Sequence, residues 1–318
     1  MKNHTPINTL WALMKRELWE SPVAFKWTPL GLAVLIVLFT VLTLILGARF
    51  DNELASTSDA LRMLADQPPD QLRLVVSGFL FSIATFFFQL MLLIILFYLA
   101  GSLFDDRKDR SILFWKSLPV SDRMTVASKV ATASLLVPAM FLAAIILTHI
   151  ALLLIASGLG LFAGINPFTA FWIPANLPKL WTLIAAGMLV QALWLMPIYA
   201  WLLFCSSWAP RLPIMIAIAI PAAIAIAQHT WSLMSTFSMP GFNLGLIMLK
   251  RLGSSILPMS TNIQSTEHFS DIQFSEELFM RFSNLGSYLL KIEMWIGLLI
   301  AAILLFAATW FRRRATDN

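Results

Sequence analysis

Long apolar runs alternate with short polar segments along the whole chain of 318 residues. Six of these runs reach about 18 apolar residues, the length at which a run is read as a membrane-spanning helix. Lipid offers the backbone no water to bond with, so each run is predicted to be an α-helix. The predicted spans cover residues 27–47, 74–104, 130–160, 180–208, 212–234 and 294–311.

The N-terminal segment has the pattern of an amphipathic helix rather than of a span. Between Asn8 and Glu20, apolar residues recur every four positions, and Lys15, Arg16 and Glu17 are predicted to share a polar face. Such a helix is expected to lie along the membrane surface and to lead into the first span. Residues 235–293, between the fifth and sixth predicted spans, also contain helical patterns.

Residues 105–129 form a charged segment between the second and third predicted spans. Asp109 is predicted to cap a short helix at Arg110–Leu118, because Asp is a favoured N-cap residue and Pro119 ends the pattern. Ser121 is predicted to cap the next helix. A tethered, partly apolar helix at the base of two spans suits a groove on a partner protein, but a solvated loop helix fits the pattern equally well.

Composition and charge fit a membrane protein with a defined orientation. Hydrophobic residues make up 59% of the chain and charged residues 12%, whereas a soluble domain carries about 25% charged residues. If the N-terminus is cytoplasmic, 14 of the 22 Lys and Arg residues lie on the cytoplasmic side. This excess predicts cytoplasmic termini for an all-α, multi-pass domain over residues 1–318, with residues 235–293 forming extracytoplasmic helices.

Motifs for catalysis or cofactor binding are missing from the sequence. No Gly-Lys pair occurs, so there is no phosphate-binding loop, and no H-E-x-x-H or C-x-x-C motif is present. The four His residues are far apart and there is a single Cys. No catalytic, cofactor or metal site is therefore predicted in this chain, and no basic and aromatic block suggests nucleic acid.

Three stretches of the sequence carry a resemblance to a known family. They are LMKRELWESP near the N-terminus, FYLAGSLFDDRKDRSILFWKSLPVSDRMTVASK between the second and third spans, and SSWAPRLPIMIAIAIP between the fourth and fifth. In order and in span count the chain resembles the membrane subunit of ATP-binding-cassette exporters, the type-2 (ABC-2) permeases. One departure is Arg110-Ser111, where many members have Gly-Thr.

The resemblance implies a function, partners and site residues. The chain would be a permease of the bacterial inner membrane that exports an amphiphilic or hydrophobic cargo, such as a lipid, peptide antibiotic or drug. Two copies of an ATPase subunit would hold ATP and Mg²⁺, and a second permease, identical or homologous, would complete the complex within membrane lipids. The N-terminal helix would be the connecting helix, and Ser206–Arg211 a smaller ATPase contact. The implied ATPase-coupling residues are Asp109, Arg110, Ile112, Leu113, Phe114, Trp115, Lys116, Leu118 and Arg211.

Polar residues inside the spans allow two interpretations. Gln89, His149, Gln191 and Gln228 are expensive to place in lipid, so they are expected to face other helices or a water-filled translocation path. Hydrogen bonding between helices is the simpler alternative for each of them.

Rival functions also follow from the residues. A membrane-embedded enzyme would need a cluster of acids or a Ser/His pair at one depth, and an ion-coupled transporter would want an acid within a span. Neither pattern is seen in the predicted spans. A non-transporting assembly or sensor subunit of an ATP-driven membrane complex remains an alternative.

Overall fold

The structure is a computed structural model that describes residues 6–50, 53–109, 120–234, 244–256 and 282–314. Within these ranges every element of regular secondary structure is a helix, and there is no strand. Six helical segments of the described chain are long and apolar enough to cross a membrane. The predicted all-α, multi-pass architecture is confirmed at this level.

Each of the six candidate spans overlaps one predicted run. Numbered in chain order as spans 1 to 6, they are Val23–Leu46, Pro69–Lys108, Asp122–Phe162, Phe168–Trp208, Pro213–Trp231 and Ile292–Arg314. Spans 2, 3 and 4 are 40 or 41 residues long, so each is longer than predicted. At 1.5 Å per residue, spans 2 and 3 reach about 60 Å, well beyond the ~30 Å hydrocarbon core, and must extend out of the apolar layer. Span 4 is interrupted at Asn176, whose backbone is left-handed with φ 42°.

Within the described ranges, four further helices accompany the spans. The N-terminal helix, Pro6–Glu20, matches the predicted amphipathic segment. A short helix at Glu53–Ala65 precedes span 2. In the segment between spans 5 and 6 the described helices are Leu244–Ile256 and Phe282–Leu290, and the rest of the pattern predicted there lies outside the described residues.

Three spans contain a widened π-helical turn just before a proline. The turns are Val23–Trp27, Thr132–Leu136 and Phe168–Trp172. In each, the N–H of the residue after the turn bonds to the carbonyl five residues back, and proline is the next residue. Proline has no N–H and its ring crowds the preceding turn, so the wider turn lets the helix continue through it.

Span 4 is the central helix of the described bundle. Of its most apolar window 67% is buried, whereas the corresponding value is 11% for span 1 and 6% for span 5. Spans 1 and 5 are therefore peripheral and expose apolar side chains such as Leu38, Phe39 and Ile218. The large apolar area left uncovered is consistent with a lipid surrounding.

One end of the bundle collects the charged ends of the spans, and we call it the base. Spans 2, 4 and 6 end there, at Lys108, Trp208 and Arg314, and spans 3 and 5 begin there. The N-terminal helix also packs at the base, against the start of span 3. Its orientation corrects a sequence prediction: Glu17 is only 3% exposed, next to the buried Leu13, and does not share a solvated polar face.

Candidate functional site: the base of the helix bundle

The predicted coupling segment begins and ends at the base. Span 2 ends at Lys108, and the backbone N–H of Asp109 caps it with a 3.0 Å hydrogen bond to Asp105 O. On the other side Ser121 caps span 3, because its side-chain oxygen accepts the N–H of Met124. The predicted cap at Ser121 is thus confirmed, and both ends of the segment are fixed to long helices.

Most of the predicted ATPase-coupling residues lie outside the described residues, as does the predicted helix Arg110–Leu118. They are Arg110, Ile112, Leu113, Phe114, Trp115, Lys116 and Leu118. Of the other two, Asp109 is the C-cap of span 2. Arg211 is exposed in the connection between spans 4 and 5. Their role in coupling stays a prediction.

A buried group of charged side chains, which we call the ionic cluster, joins the helices at the base. Sequence reasoning did not predict it. Its members come from the N-terminal helix, the end of span 2, the start of span 3 and the end of span 6. They are Arg16, Glu17, Asp106, Asp122, Lys129 and Arg312. Four of these side chains are at most 8% exposed, so the cluster is largely shielded from solvent.

Lys129 connects three helices within the ionic cluster. Its Nζ lies 3.3 Å from Glu17 Oε1 and 3.7 Å from Asp106 Oδ2. The hydroxyl of Tyr98 donates a 2.7 Å hydrogen bond to the other oxygen of Glu17. The N-terminal helix is therefore attached through one carboxylate to both span 2 and span 3.

Two arginines complete the ionic cluster. Arg312 Nη1 donates a 3.0 Å hydrogen bond to Asp106 Oδ2, and Arg312 Nε lies 3.3 Å from Asp122 Oδ1. Arg16 Nη2 lies 3.6 Å from Asp106 Oδ1. Burial lowers the pKa of Arg16, but the carboxylates of Glu20, Glu17 and Asp106 outweigh it and the pKa is raised. The six members of the ionic cluster are three cations and three carboxylates, and the further carboxylate on Arg16, Glu20, is exposed.

The position of these residues explains why sequence reasoning missed the cluster. Asp106 and Lys129 lie just beyond the ends of predicted spans. A charged residue at such a position is normally interpreted as lying at the membrane interface. The available signal was Glu17, which lies four residues after Leu13 and three after Met14 on the buried face of the N-terminal helix. An acid within an apolar stripe indicates a buried partner.

A second anchor holds the connection between spans 4 and 5 against span 2. Arg107 Nη2 donates to the carbonyls of Ser206 and Ala209, at 2.9 and 2.8 Å. The hydroxyl oxygen of Ser206 accepts the backbone N–H groups of Leu103 and Phe104, each at 3.0 Å. The predicted smaller contact, Ser206–Arg211, is therefore hydrogen-bonded to the end of span 2.

The residues predicted for a translocation path lie on four different spans. His149 is buried in span 3, where its Nδ1 accepts Trp181 Nε1–H at 3.2 Å and its Nε2 is 2.9 Å from Leu80 O. Since Trp181 can only donate, the ring proton of the neutral imidazole is on Nε2. This arrangement joins spans 2, 3 and 4, as the alternative of interhelical bonding predicted.

The three glutamines have different surroundings. Gln89 is exposed on span 2, and Gln191 is buried in the central span 4. The Oε1 of Gln228 accepts the backbone N–H of Leu244 at 3.0 Å, which ties span 5 to the first turn of helix Leu244–Ile256. A lining role for these residues stays a prediction.

Comparison with known proteins found no matching family model, no matching curated protein and no matching solved structure. The fold defines the class: a helical protein with six candidate membrane spans in the part of the chain that the structure describes. Any narrower assignment rests on the sequence motifs and on the geometry of the base.

Proposed function

We propose that this chain is the membrane-spanning permease subunit of an ATP-binding-cassette exporter of the type-2 class. A separate ATPase subunit, present in two copies, would bind ATP and Mg²⁺. A second permease chain, identical or homologous, would form the other half of the transport unit. The permease itself would catalyse no bond chemistry and would sit in a bacterial inner membrane with both termini in the cytoplasm.

The observation that carries this proposal is the anchoring, at the base, of the two described flanks of the segment 105–129. The segment leaves span 2 at Asp109 and enters span 3 at the Ser121 cap. The ionic cluster attaches both of these spans to the N-terminal helix and to span 6. A displacement of the segment by a partner would therefore act on four helices together, which is the mechanical property that coupling to an ATPase requires.

The proposed mechanism follows from this connection. ATP binding closes the ATPase dimer, which pushes on the helix at Arg110–Leu118. Spans 2 and 3 shift with it, and the cargo leaves toward the outer face. The apolar, aromatic-rich composition of the spans suits an amphiphilic or hydrophobic cargo such as a lipid, peptide antibiotic or drug.

The proposed orientation can be tested with single cysteines. In a Cys205→Ala background, Arg123→Cys at the start of span 3 should be protected from a membrane-impermeant thiol reagent in intact cells. Asp59→Cys, at the other end of the bundle, should be labelled, because the Lys and Arg excess places it outside. Both positions are exposed, so burial does not confound the result. Labelling of position 123 but not of position 59 would show that the orientation is the opposite of the one proposed.

The function itself is tested at Trp115, the largest apolar side chain of the predicted coupling helix. Aromatic anchors often dominate interfaces, and their truncation costs about 2 kcal/mol or more. Trp115→Ala should therefore weaken copurification of the ATPase at least about tenfold, or uncouple ATP hydrolysis from transport. Copurification, hydrolysis and cargo transport are measured on the reconstituted complex, with the isolated permease as the hydrolysis baseline.

Matched controls separate coupling from general damage. Phe162→Ala truncates an aromatic side chain that is 93% exposed at the opposite end of span 3, and should leave assembly intact. Arg110→Glu should act like Trp115→Ala, whereas Arg73→Glu at the far end of span 2 should not.

If Trp115→Ala and Arg110→Glu leave assembly and transport unchanged, the segment is a solvated loop. ATPase binding without any transport by the wild type would favour the assembly or sensor subunit.

A further inference from the structure

A groove of about 430 Å³ runs along the outside of span 2 at the base. One wall is a single face of span 2, since the lining positions are spaced three or four residues apart. This wall is formed by Phe97, Ala100, Gly101, Phe104, Asp105 and Lys108. The other wall is formed by residues 211–214, where the chain turns into span 5.

The groove changes from apolar to charged along its length. Phe97 lies eleven residues before Lys108, which corresponds to about 16 Å of helix. Away from the base end the lining is apolar, with the rings of Phe97 and Phe104 and the small residues Ala100 and Gly101. Lys108 and Arg211 stand at the base end, and both are exposed. The apolar part of the groove suits an acyl chain, and the two cations at its base end suit an anionic headgroup.

Leu212 supports the view that this surface is adapted to an apolar ligand. It is 66% exposed and has φ 45°, a left-handed backbone conformation that disfavours residues other than Gly, Asn and Asp. Such strain persists where the surroundings or a function impose it. Here it directs a leucine, beside Arg211, to the surface at the opening of the groove.

We propose that this groove binds one anionic glycerophospholipid of the leaflet next to the base. An acyl chain would lie along Phe97 and Phe104, and the phosphate would be held by Lys108 and Arg211. The occupant is a lipid because the groove lies on a candidate membrane span, with apolar residues along its length and its two cations at the end of that span. The proposal does not depend on a partner ATPase.

Asp105 also lines the groove, and its carboxylate would repel an anionic headgroup. Its Oδ2 lies back along the helix over Gly101, 2.8 Å from where a Cβ on that glycine would be. The two cations still exceed this single negative charge. Asp105→Asn keeps the shape and removes the repulsion, so it should strengthen phospholipid binding.

Native mass spectrometry of the purified full chain in detergent tests the site. The chain is titrated with phosphatidylglycerol or with phosphatidylcholine of the same acyl chains. The wild type should retain one phosphatidylglycerol at least about tenfold more strongly than phosphatidylcholine, since each basic residue near a membrane surface favours anionic lipid. Lys108→Gln combined with Arg211→Gln should abolish this preference.

Two further variants separate headgroup from chain binding. Ile214→Trp should fill the groove and lower retention of both lipids, although both cations remain. The matched control, Lys15→Gln with Arg123→Gln, removes two exposed basic residues of the same end that do not line the groove, and should behave like wild type.

Several outcomes would overturn the proposal. A wild type with no preference for phosphatidylglycerol would do so, as would a preference that survives Lys108→Gln with Arg211→Gln. Equal loss in the Lys15 and Arg123 control would show a general surface charge effect. A change of oligomeric mass in the groove variants, with retained lipid unchanged, would assign the surface to a second copy of the chain.

Discussion

Lys129→Met is expected to destabilise the fold by about 3–5 kcal/mol, because it leaves the buried Glu17 carboxylate without its closest cation and takes one of three cations from Asp106. Lys129 is 2% exposed and lies between Glu17 and Asp106. Methionine fills a similar volume, so the loss reports charge rather than a cavity. The measurement is thermal unfolding of the purified chain in detergent, followed by tryptophan fluorescence.

The control and the compensating variant make this prediction specific. Lys15→Met removes an exposed lysine from the N-terminal helix and should change stability by less than about 0.5 kcal/mol. Adding Glu17→Gln to Lys129→Met should restore part of the loss, because it removes the carboxylate that has lost its closest cation. A Lys129→Met variant as stable as the Lys15 control would show that the ionic cluster is solvated and does not hold the base together.

Arg251→Met is expected to destabilise the fold by about 3 kcal/mol and to release helix Leu244–Ile256. The Arg251 guanidinium donates to the carbonyls of Trp194 and Glu293, at 2.8 and 2.6 Å, and hydrogen bonds to charged groups contribute about 1.5–3 kcal/mol each. It also lies 4.4 Å from the centroid of the Trp194 ring. Burial lowers its pKa, consistent with a site shielded from water.

Gly297 provides a test of this anchor from the opposite side. A Cβ at Gly297 would overlap the Arg251 guanidinium, so Gly297→Ala should cost about 1–3 kcal/mol. The matched control, Gly78→Ala, meets no atom within 4 Å and should gain about 0.5–1 kcal/mol from helix propensity.

A double-variant cycle links the two residues of this anchor. In the Arg251→Met background, Gly297→Ala should lose most of its penalty, because the group it displaces is gone. Thermal unfolding of the four proteins gives the coupling energy. Additive effects would show that Gly297 is required for another contact, and that Arg251 does not fill this space.

The sequence predicted the spans because their signal is local. An apolar run of sufficient length leaves the backbone no structure other than a helix in lipid, so all six runs appear as candidate spans in the structure. The Ser121 cap is equally local, since the side chain bonds an N–H three residues away. The helix ends were less predictable, because spans 2, 3 and 4 continue beyond their apolar cores.

The candidate site was predicted only in part. The Ser121 cap could be read from the sequence, whereas the predicted helix that Asp109 would cap lies outside the described residues and the ionic cluster could not be predicted. Lys129 and Glu17 are 112 residues apart, and Arg312 and Asp106 are 206 apart. Nothing in one sequence says that charges at such separations meet, so the local pattern places Glu17 on a polar helix face and Asp106 and Lys129 in the charged segment.

By itself the sequence determined that this chain is a helical, multi-pass protein with a charged segment between its second and third spans. The cost of unpaired backbone groups in lipid is enough to dictate this much. Only the tertiary structure decided which charged residues are buried, which helix is central and where a groove remains on span 2. These features depend on how helices pack side by side, which brings together residues distant in sequence and gives each charge its partner.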